Sequence, residues 1–237
     1  MKREQVFQFF RSVLFPRYIS YSRIYKRVCR SKISQNKKIL HLGSGIDKGG
    51  ISNLKKGNFL LVSLDKDASR LAQNTNKSKV LADAYHLPFK NECFNLIFSE
   101  NFFEHLEEPK SVLLECRRVL KKGSQVIFAI PNKFSYIAIF NLISPKFIKN
   151  IVKKLRGQGI SYDPAYYRFN TPERIAFFCK LAGFRINSLH YYTGPPEYFY
   201  FNLPLFIVFS VLHKIIEMVP LFLRRFNLTF VAILEGE

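Results

Sequence analysis

At 237 residues and 48% hydrophobic, the chain has room for one domain with extensions and enough apolar mass to bury a sizeable core. Its 25 Phe exceed what a modest core needs, and its formal net charge of +20 points to a polyanionic partner, either nucleic acid or an anionic membrane surface. The scattered Cys29, Cys93, Cys116 and Cys179 include no CxxC pair, which argues against a zinc site or a disulfide framework and for a reduced, cytosolic compartment.

Residues 1–36 are basic apart from Glu4. Val6, Phe7, Phe10, Val13 and Leu14 recur there at helical spacing, which predicts a basic amphipathic helix followed by a second short one. Gln8 and Arg11 cut the apolar stretch and no small-residue cleavage site follows, so the segment is a poor secretory signal. From residue 37, strands alternate with helical or turn segments. Strands are predicted over 37–43, 58–67, 93–101 and 125–132, and another within 79–89, with an amphipathic helix over 109–124 that stops at Gly123. This alternation predicts an α/β fold with a parallel sheet covered on both faces. Residues 133–157 are apolar with a basic stripe. Over 171–184, Thr171 as N-cap, Pro172 in the first turn and Gly183 at the stop mark a helix. Sixth and seventh strands follow over 185–193 and 227–236. Between them lies the apolar segment 194–226. Its core, 198–212, is shorter than the ~20 residues a spanning helix needs, and His213, Lys214 and Glu217 interrupt it. An interfacial or shallow re-entrant helix pair is expected, or else a helical cap buried on the protein itself. The organisation read this way is an extension (1–36), a core (37–193) with a helical insertion (133–170), an apolar insertion (194–226) and a last core strand (227–237).

The stretch KKILHLGSGIDKGG, residues 37–50, carries the chemistry. A buried strand running into Gly43-Ser44-Gly45 lets backbone N–H groups approach a ligand closely. His41 stands where an acid is expected, and Asp47 and Lys48 stand where a third glycine would help. Asp65 ends the second strand 22 positions after Gly43, where an acid can hold a ribose hydroxyl pair. Asp83 follows the third strand and can accept from an exocyclic amine. Ser99 to Asn101 close the fourth strand, at the edge where open parallel sheets bind ligands.

The segments ILHLGSG, LVSLDKD and LADAYHLPFKNECFNLIFSENFFEHLEEPKSVLLECRRVLKKGSQVIFAIPN resemble, in order, the motifs of class I S-adenosylmethionine-dependent methyltransferases, and most of all their small-molecule branch. The resemblance covers roughly residues 37–132. It implies a doubly wound, seven-stranded, mostly parallel sheet with an antiparallel last strand, and S-adenosyl-L-methionine as cofactor. It further implies that Gly43 and Gly45 approach the amino-acid end of the cofactor, with His41 and Ser44 beside them. Asp65 with Lys66 would hold the ribose, Asp83 with Ala84 the adenine, and Glu100 and Asn101 the methionine portion. His105 would face the substrate and act as general base for a hydroxyl acceptor. Asp163, Tyr166, Tyr167 and Arg168 form a polar-aromatic loop that could line the acceptor pocket, and His190 is a weaker candidate. No metal is expected. The family commonly has an acid at position 41 that helps hold the cofactor's ammonium. Asp47, at the third-glycine position, either replaces that acid in space or caps the next element. A dinucleotide dehydrogenase fits less well, because it would need glycine at Lys48.

The basic, apolar segments 1–30, 133–157 and 194–226 lie outside the cofactor motifs. They suggest peripheral attachment to the inner face of the cytoplasmic membrane through its anionic surface. The acceptor would then be a small or lipid-linked molecule: a lipid, a quinone or a surface-glycan precursor. Nucleic-acid methylation is the alternative permitted by the charge. SENFF stands, however, where base-nitrogen enzymes often carry Asn/Asp-Pro-Pro-aromatic, and the Phe residues sit in apolar runs rather than as a stacking platform. A non-catalytic membrane-associated relative with a degenerate loop is the third reading. Oligomeric state is left open.

Overall fold

Ile39, Leu40 and Leu42 are buried to the last atom, the mark of a strand covered on both faces. They belong to β1 (Lys38–Leu42) of a seven-stranded sheet in the computed structural model, which describes residues 3–16, 19–35, 37–47, 58–155, 164–192, 199, 202–218 and 229–236. The other strands are β2 (Leu60–Asp65), β3 (Lys79–Leu81), β4 (Phe94–Glu100), β5 (Leu120–Pro131), β6 (Phe184–Tyr192) and β7 (Thr229–Gly236). They lie in the order β3-β2-β1-β4-β5-β7-β6, with the last strand antiparallel to the other six. The winding direction reverses between β1 and β4, so a crevice opens beyond their C-terminal ends. Leu42 pairs with Leu64 and His41 with Phe98, which brings Gly43, Asp65 and Glu100 level at that edge.

The helices are α1 (Arg3–Leu14), α2 (Tyr21–Lys32), α3 (Ala68–Ala72), α4 (Pro109–Val119), α5 (Tyr136–Ile143), α6 (Lys146–Leu155), α7 (Pro172–Leu181) and α8 (Leu203–Met218). α7 is built as its sequence predicts. Thr171 Oγ1 accepts from the Arg174 amide at 3.3 Å, Pro172 opens the first turn, and Gly183 follows the helix with φ +70°. α4 ends earlier than predicted, at Val119. Val119 and Leu120 are both fully buried, and Leu120 already has extended backbone. The sheet register steps from Phe94–Leu120 to Leu96–Gln125, so Lys121–Ser124 form a bulge around Gly123 (φ +68°) instead of a last helical turn. β3 ends before Asp83, as expected, and there Asp83 accepts the Tyr85 amide at 3.0 Å and turns the chain.

The chain divides into two compact units. The sheet unit comprises Ser22–Ile130, Ala165–His190 and Phe230–Glu237. Its core includes the rings of Phe103, Phe128 and Phe169, whose centroids lie 5.0–5.3 Å apart. Arg118 locks the loop between β3 and β4. Its guanidinium grips Glu115 through two 2.7 Å bonds and donates to the Phe89 carbonyl (2.7 Å), the Leu87 carbonyl (2.8 Å) and Asn91 Oδ1 (3.0 Å). Arg118→Ala strands those acceptors and is expected to lower the unfolding free energy by about 2–3 kcal/mol in urea denaturation. Arg118→Lys should recover only part of this, because an ammonium cannot reproduce the fork.

The helical unit comprises Met1–Tyr21, Pro131–Pro164 and Tyr191–Thr229. Within it α1 packs on α8. Phe7 meets Phe206 edge-on at 5.6 Å, Phe15 lies 5.7 Å from His213, and the Lys214 ammonium sits 4.6 Å from the Phe15 ring centre. The polar residues expected to interrupt 194–226 do not end the helix, since α8 runs through His213 and Lys214. His213 is buried against Phe15 rather than marking a break. The second helix expected in this segment falls on 219–228, outside the described residues. Among the described residues no helix is long and apolar enough to cross a membrane.

Candidate active site

After β1 the backbone enters the left-handed region at Gly43 (φ +63°) and Gly45 (φ +46°), conformations that L side chains rarely adopt. The turn is fastened to β2. The Ser44 amide donates to the Leu64 carbonyl at 2.9 Å and the Gly45 amide to Asp65 Oδ2 at 2.7 Å, while Asp65 Oδ1 accepts the Asp67 amide at 2.9 Å. A second set of bonds secures its far side. Asn74 Nδ2 donates to the Gly45 carbonyl at 3.1 Å, and Thr75 donates to the Asp47 carbonyl through both its amide (3.1 Å) and its hydroxyl (2.9 Å). Gly43 also leaves room for Phe102. A Cβ at position 43 would stand 2.2 Å from that ring.

His41 is buried beneath this turn, with Nδ1 3.8 Å from Asp47 Oδ2. Burial pulls its pKa down to about 4 and outweighs the opposing carboxylates of Asp47 and Asp65. The imidazole is therefore neutral near pH 7, and the contact is not an ion pair. Lys66 is exposed next to Asp65. The Ala82 amide donates to the Asp65 carbonyl at 3.1 Å, which brings the exposed Asp83 and the buried Ala84 to the same edge. Asn101, at φ +51°, donates its amide to the Ala129 carbonyl at 2.8 Å and turns the chain out of β4.

A single 3-10 turn, Phe103–His105, follows. The Glu104 carbonyl accepts the amides of Tyr166 (2.8 Å) and Tyr167 (3.2 Å), and Arg168 Nη1 donates to the Glu107 carbonyl at 3.0 Å. These bonds bring Tyr166, Tyr167 and Arg168 onto the segment that bears His105. Asp163 lies outside the described residues. His190 is not brought here, because it is exposed on β6, the outermost strand, with β7 and β5 between it and β4. Among the described residues no group of three or more His, Cys, Asp or Glu is placed to hold a metal ion.

A family model described as a methyltransferase domain matches residues 40–128, from within β1 to within β5. The matched stretch is a class I S-adenosylmethionine-dependent methyltransferase domain. An uncharacterised protein of Methanocaldococcus jannaschii, MJ0638, is 35% identical to this chain over 113 residues, 46% of this chain and 49% of that protein. The demethylmenaquinone methyltransferase of Thermotoga maritima is 27% identical over 175 residues, 68% of this chain and 76% of that enzyme. The chain spans about half the length of the first curated relatives it matches (55%, 49% and 55%). In fold, a SAM-dependent methyltransferase of Methanosarcina mazei superposes with a TM-score of 0.58 at 13% identity, over 88% of this chain and 96% of that one.

The residues of this methyltransferase domain fit the cofactor of the family. Left-handed glycines bare the turn, a carboxylate closes β2, and the buried hydroxyls of Ser44 and Ser99 have no hydrogen-bond partner among the described residues. The domain also contains two features that sequence reasoning missed. Glu104 is buried, with Oε1 3.9 Å from His105 Nε2 and, among the described residues, no hydrogen-bond partner for Oε2. Burial, reinforced by the charge of Glu100, pushes its pKa up to about 8. Its signal was the placement of an acid directly after Phe102-Phe103. The other feature is α2, whose fully buried Tyr25 and Cys29 lie within electrostatic reach of Glu100. Their i, i+4 spacing was visible, but the surrounding Lys and Arg made the helix read as a membrane-surface element.

Proposed function

We propose that this chain is a S-adenosylmethionine-dependent methyltransferase whose acceptor is a small lipid-like or lipid-linked molecule: a lipid, a quinone or a surface-glycan precursor. The observation that carries the reading is the convergence of the Gly43–Gly45 turn, Asp65 and the end of β4 on one sheet edge. Asp65 holds the ribose hydroxyls with the lone pairs left over from the Gly45 and Asp67 amides, and Lys66 stands beside it. Asp83 and Ala84 take the adenine, Glu100 and Asn101 flank the methionine portion, and His41 and Ser44 lie under its amino-acid end. When bound, the cofactor supplies an electrophilic sulfonium methyl. The protein's own work is then to align the acceptor and exclude water. For a hydroxyl acceptor, His105 takes the proton from the acceptor oxygen, a contribution of about 10²–10⁴-fold. Tyr166, Tyr167 and Arg168 line the acceptor side.

Support for an apolar acceptor comes from the helical unit. Leu142 and Ile143 are each 72% exposed, and Phe147, Ile151, Val208 and Ile215 are also exposed. The sequence of α6 mixes apolar residues with lysines, of which Lys154 is exposed, and a lysine near an anionic bilayer contributes about 1 kcal/mol of attraction. The Thermotoga relative named above is one whose name specifies a quinone precursor. Location at the inner face of the cytoplasmic membrane, peripheral rather than spanning, is part of the same proposal. Transfer of labelled methyl to a total cell extract tests it, and label is expected in the lipid fraction. Label in RNA would favour the nucleic-acid reading, and titration calorimetry showing that folded protein binds no S-adenosylhomocysteine would favour a non-catalytic relative. Vesicles containing anionic lipid should co-sediment the protein, and salt alone should not release it.

A further inference from the structure

The site leaves one charge without an assigned partner. The cofactor carries an α-ammonium at its amino-acid end, and a buried ammonium needs hydrogen-bond acceptors, of which a carboxylate is the strongest. The residue on β1 beneath the glycine turn is His41, a neutral imidazole. Asp65 commits one oxygen to each of two backbone amides and sits at the end of β2. Asp47 is the other carboxylate at the turn. It is 8% exposed and faces His41 across 3.8 Å, and its carbonyl is fixed by two bonds from Thr75. The turn therefore has a histidine on the strand and an acid four residues after Gly43, and the fold brings the two side chains within 3.8 Å of each other.

We infer that Asp47 supplies the carboxylate that receives the cofactor's α-ammonium, with His41 as the neighbour that packs against it. The inference rests on the cofactor reading above. It assigns to Asp47 a positioning role that depends on ligand chemistry and is distinct from capping the segment that follows. A cap would act on the fold whatever the ligand. An ammonium acceptor acts only on ligands that carry the amino-acid end.

The test uses S-adenosylhomocysteine and 5′-methylthioadenosine, which share the nucleoside and differ in that end. Titration calorimetry on the full chain should show Asp47→Asn losing affinity for S-adenosylhomocysteine by ~10-fold or more, with methylthioadenosine affinity kept within about twofold of wild type. Adding His41→Asp to Asp47→Asn, which moves the acid back onto the strand, should restore the preference for the longer ligand. Equal loss for both ligands would mean that Asp47 only holds the loop, and unchanged affinity for S-adenosylhomocysteine would mean that it does not touch the ammonium. Either outcome overturns the assignment while leaving the cofactor reading intact. Wild-type protein that binds neither ligand overturns the cofactor reading, and the role of Asp47 with it.

Discussion

Glu104→Gln is expected to flatten the pH dependence of stability and to make the protein more stable than wild type above pH 8. In the native protein the Glu104 carboxyl keeps its proton until about pH 8, against 4.5 for an ordinary glutamate. Between those values the unfolded chain has released the proton and the native chain has not. Stability that is fully present below pH 4.5 is therefore lost progressively as pH rises to 8, and the curve levels off beyond. Each pH unit of that window is worth ~1.4 kcal/mol, so the whole effect is on the order of a few kcal/mol. His41 works in the opposite sense. Its native pKa of about 4 lies below the ordinary 6.5, so it removes stability as pH falls from 6.5 to 4. The two slopes oppose each other in the acid range, which leaves pH 6.5–8 as the window where Glu104 stands clear of His41. Urea denaturation across that window should show wild type declining and Glu104→Gln level, because glutamine copies the size of the neutral acid without its proton. Parallel curves would mean that the native carboxyl is already ionised at pH 6.5.

The strands and the parallel sheet were legible because hydrophobic runs and glycine stops mark each β-α boundary. The C-terminal edge of β1, β2 and β4 followed directly, and Gly43, Asp65 and Glu100 stand level there. What sequence could not supply was direction. Tyr25 and Cys29 have the spacing of one helix face, but nothing in α2 says whether that face meets lipid or the end of β4. His213 likewise reads as a polar interruption, and its burial against Phe15 depends on α1, nearly two hundred residues earlier in the chain. Glu104 was passed over for a related reason. Burial moves its carboxyl into the neutral range, and the sequence around it does not by itself establish that burial.

Gly43 and Gly45 look interchangeable in the sequence, and the structure assigns them different tasks that substitution should separate. Both have positive φ, so alanine at either costs about 1–2 kcal/mol of backbone strain. At Gly43 the added methyl also lands 2.2 Å from Phe102 Cδ2 and 2.5 Å from Cγ. Phe102 has little freedom to yield. Asn101 before it is tied to the Ala129 carbonyl, and Phe103 after it is locked among Phe128 and Phe169. Overpacking of this kind adds about 1–3 kcal/mol, for a total near 2–5 kcal/mol. At Gly45 the nearest atom to the new methyl is Asp65 Oδ2 at 3.9 Å, an ordinary contact, so only the strain applies. Urea denaturation should therefore rank Gly43→Ala well below Gly45→Ala in stability. Phe102→Ala placed in the Gly43→Ala background should remove the overpacking share of the loss and leave the strain share untouched. Ligand affinity should run the other way. Among the described residues the Gly45 methyl meets only Asp65 Oδ2, on the side where the proposed cofactor lies, so Gly45→Ala should lose only the strain share of stability and still bind S-adenosylhomocysteine poorly. If both alanine variants lose stability equally and the Phe102 change rescues nothing, the ring does not rest on Gly43 and the turn is held in some other way.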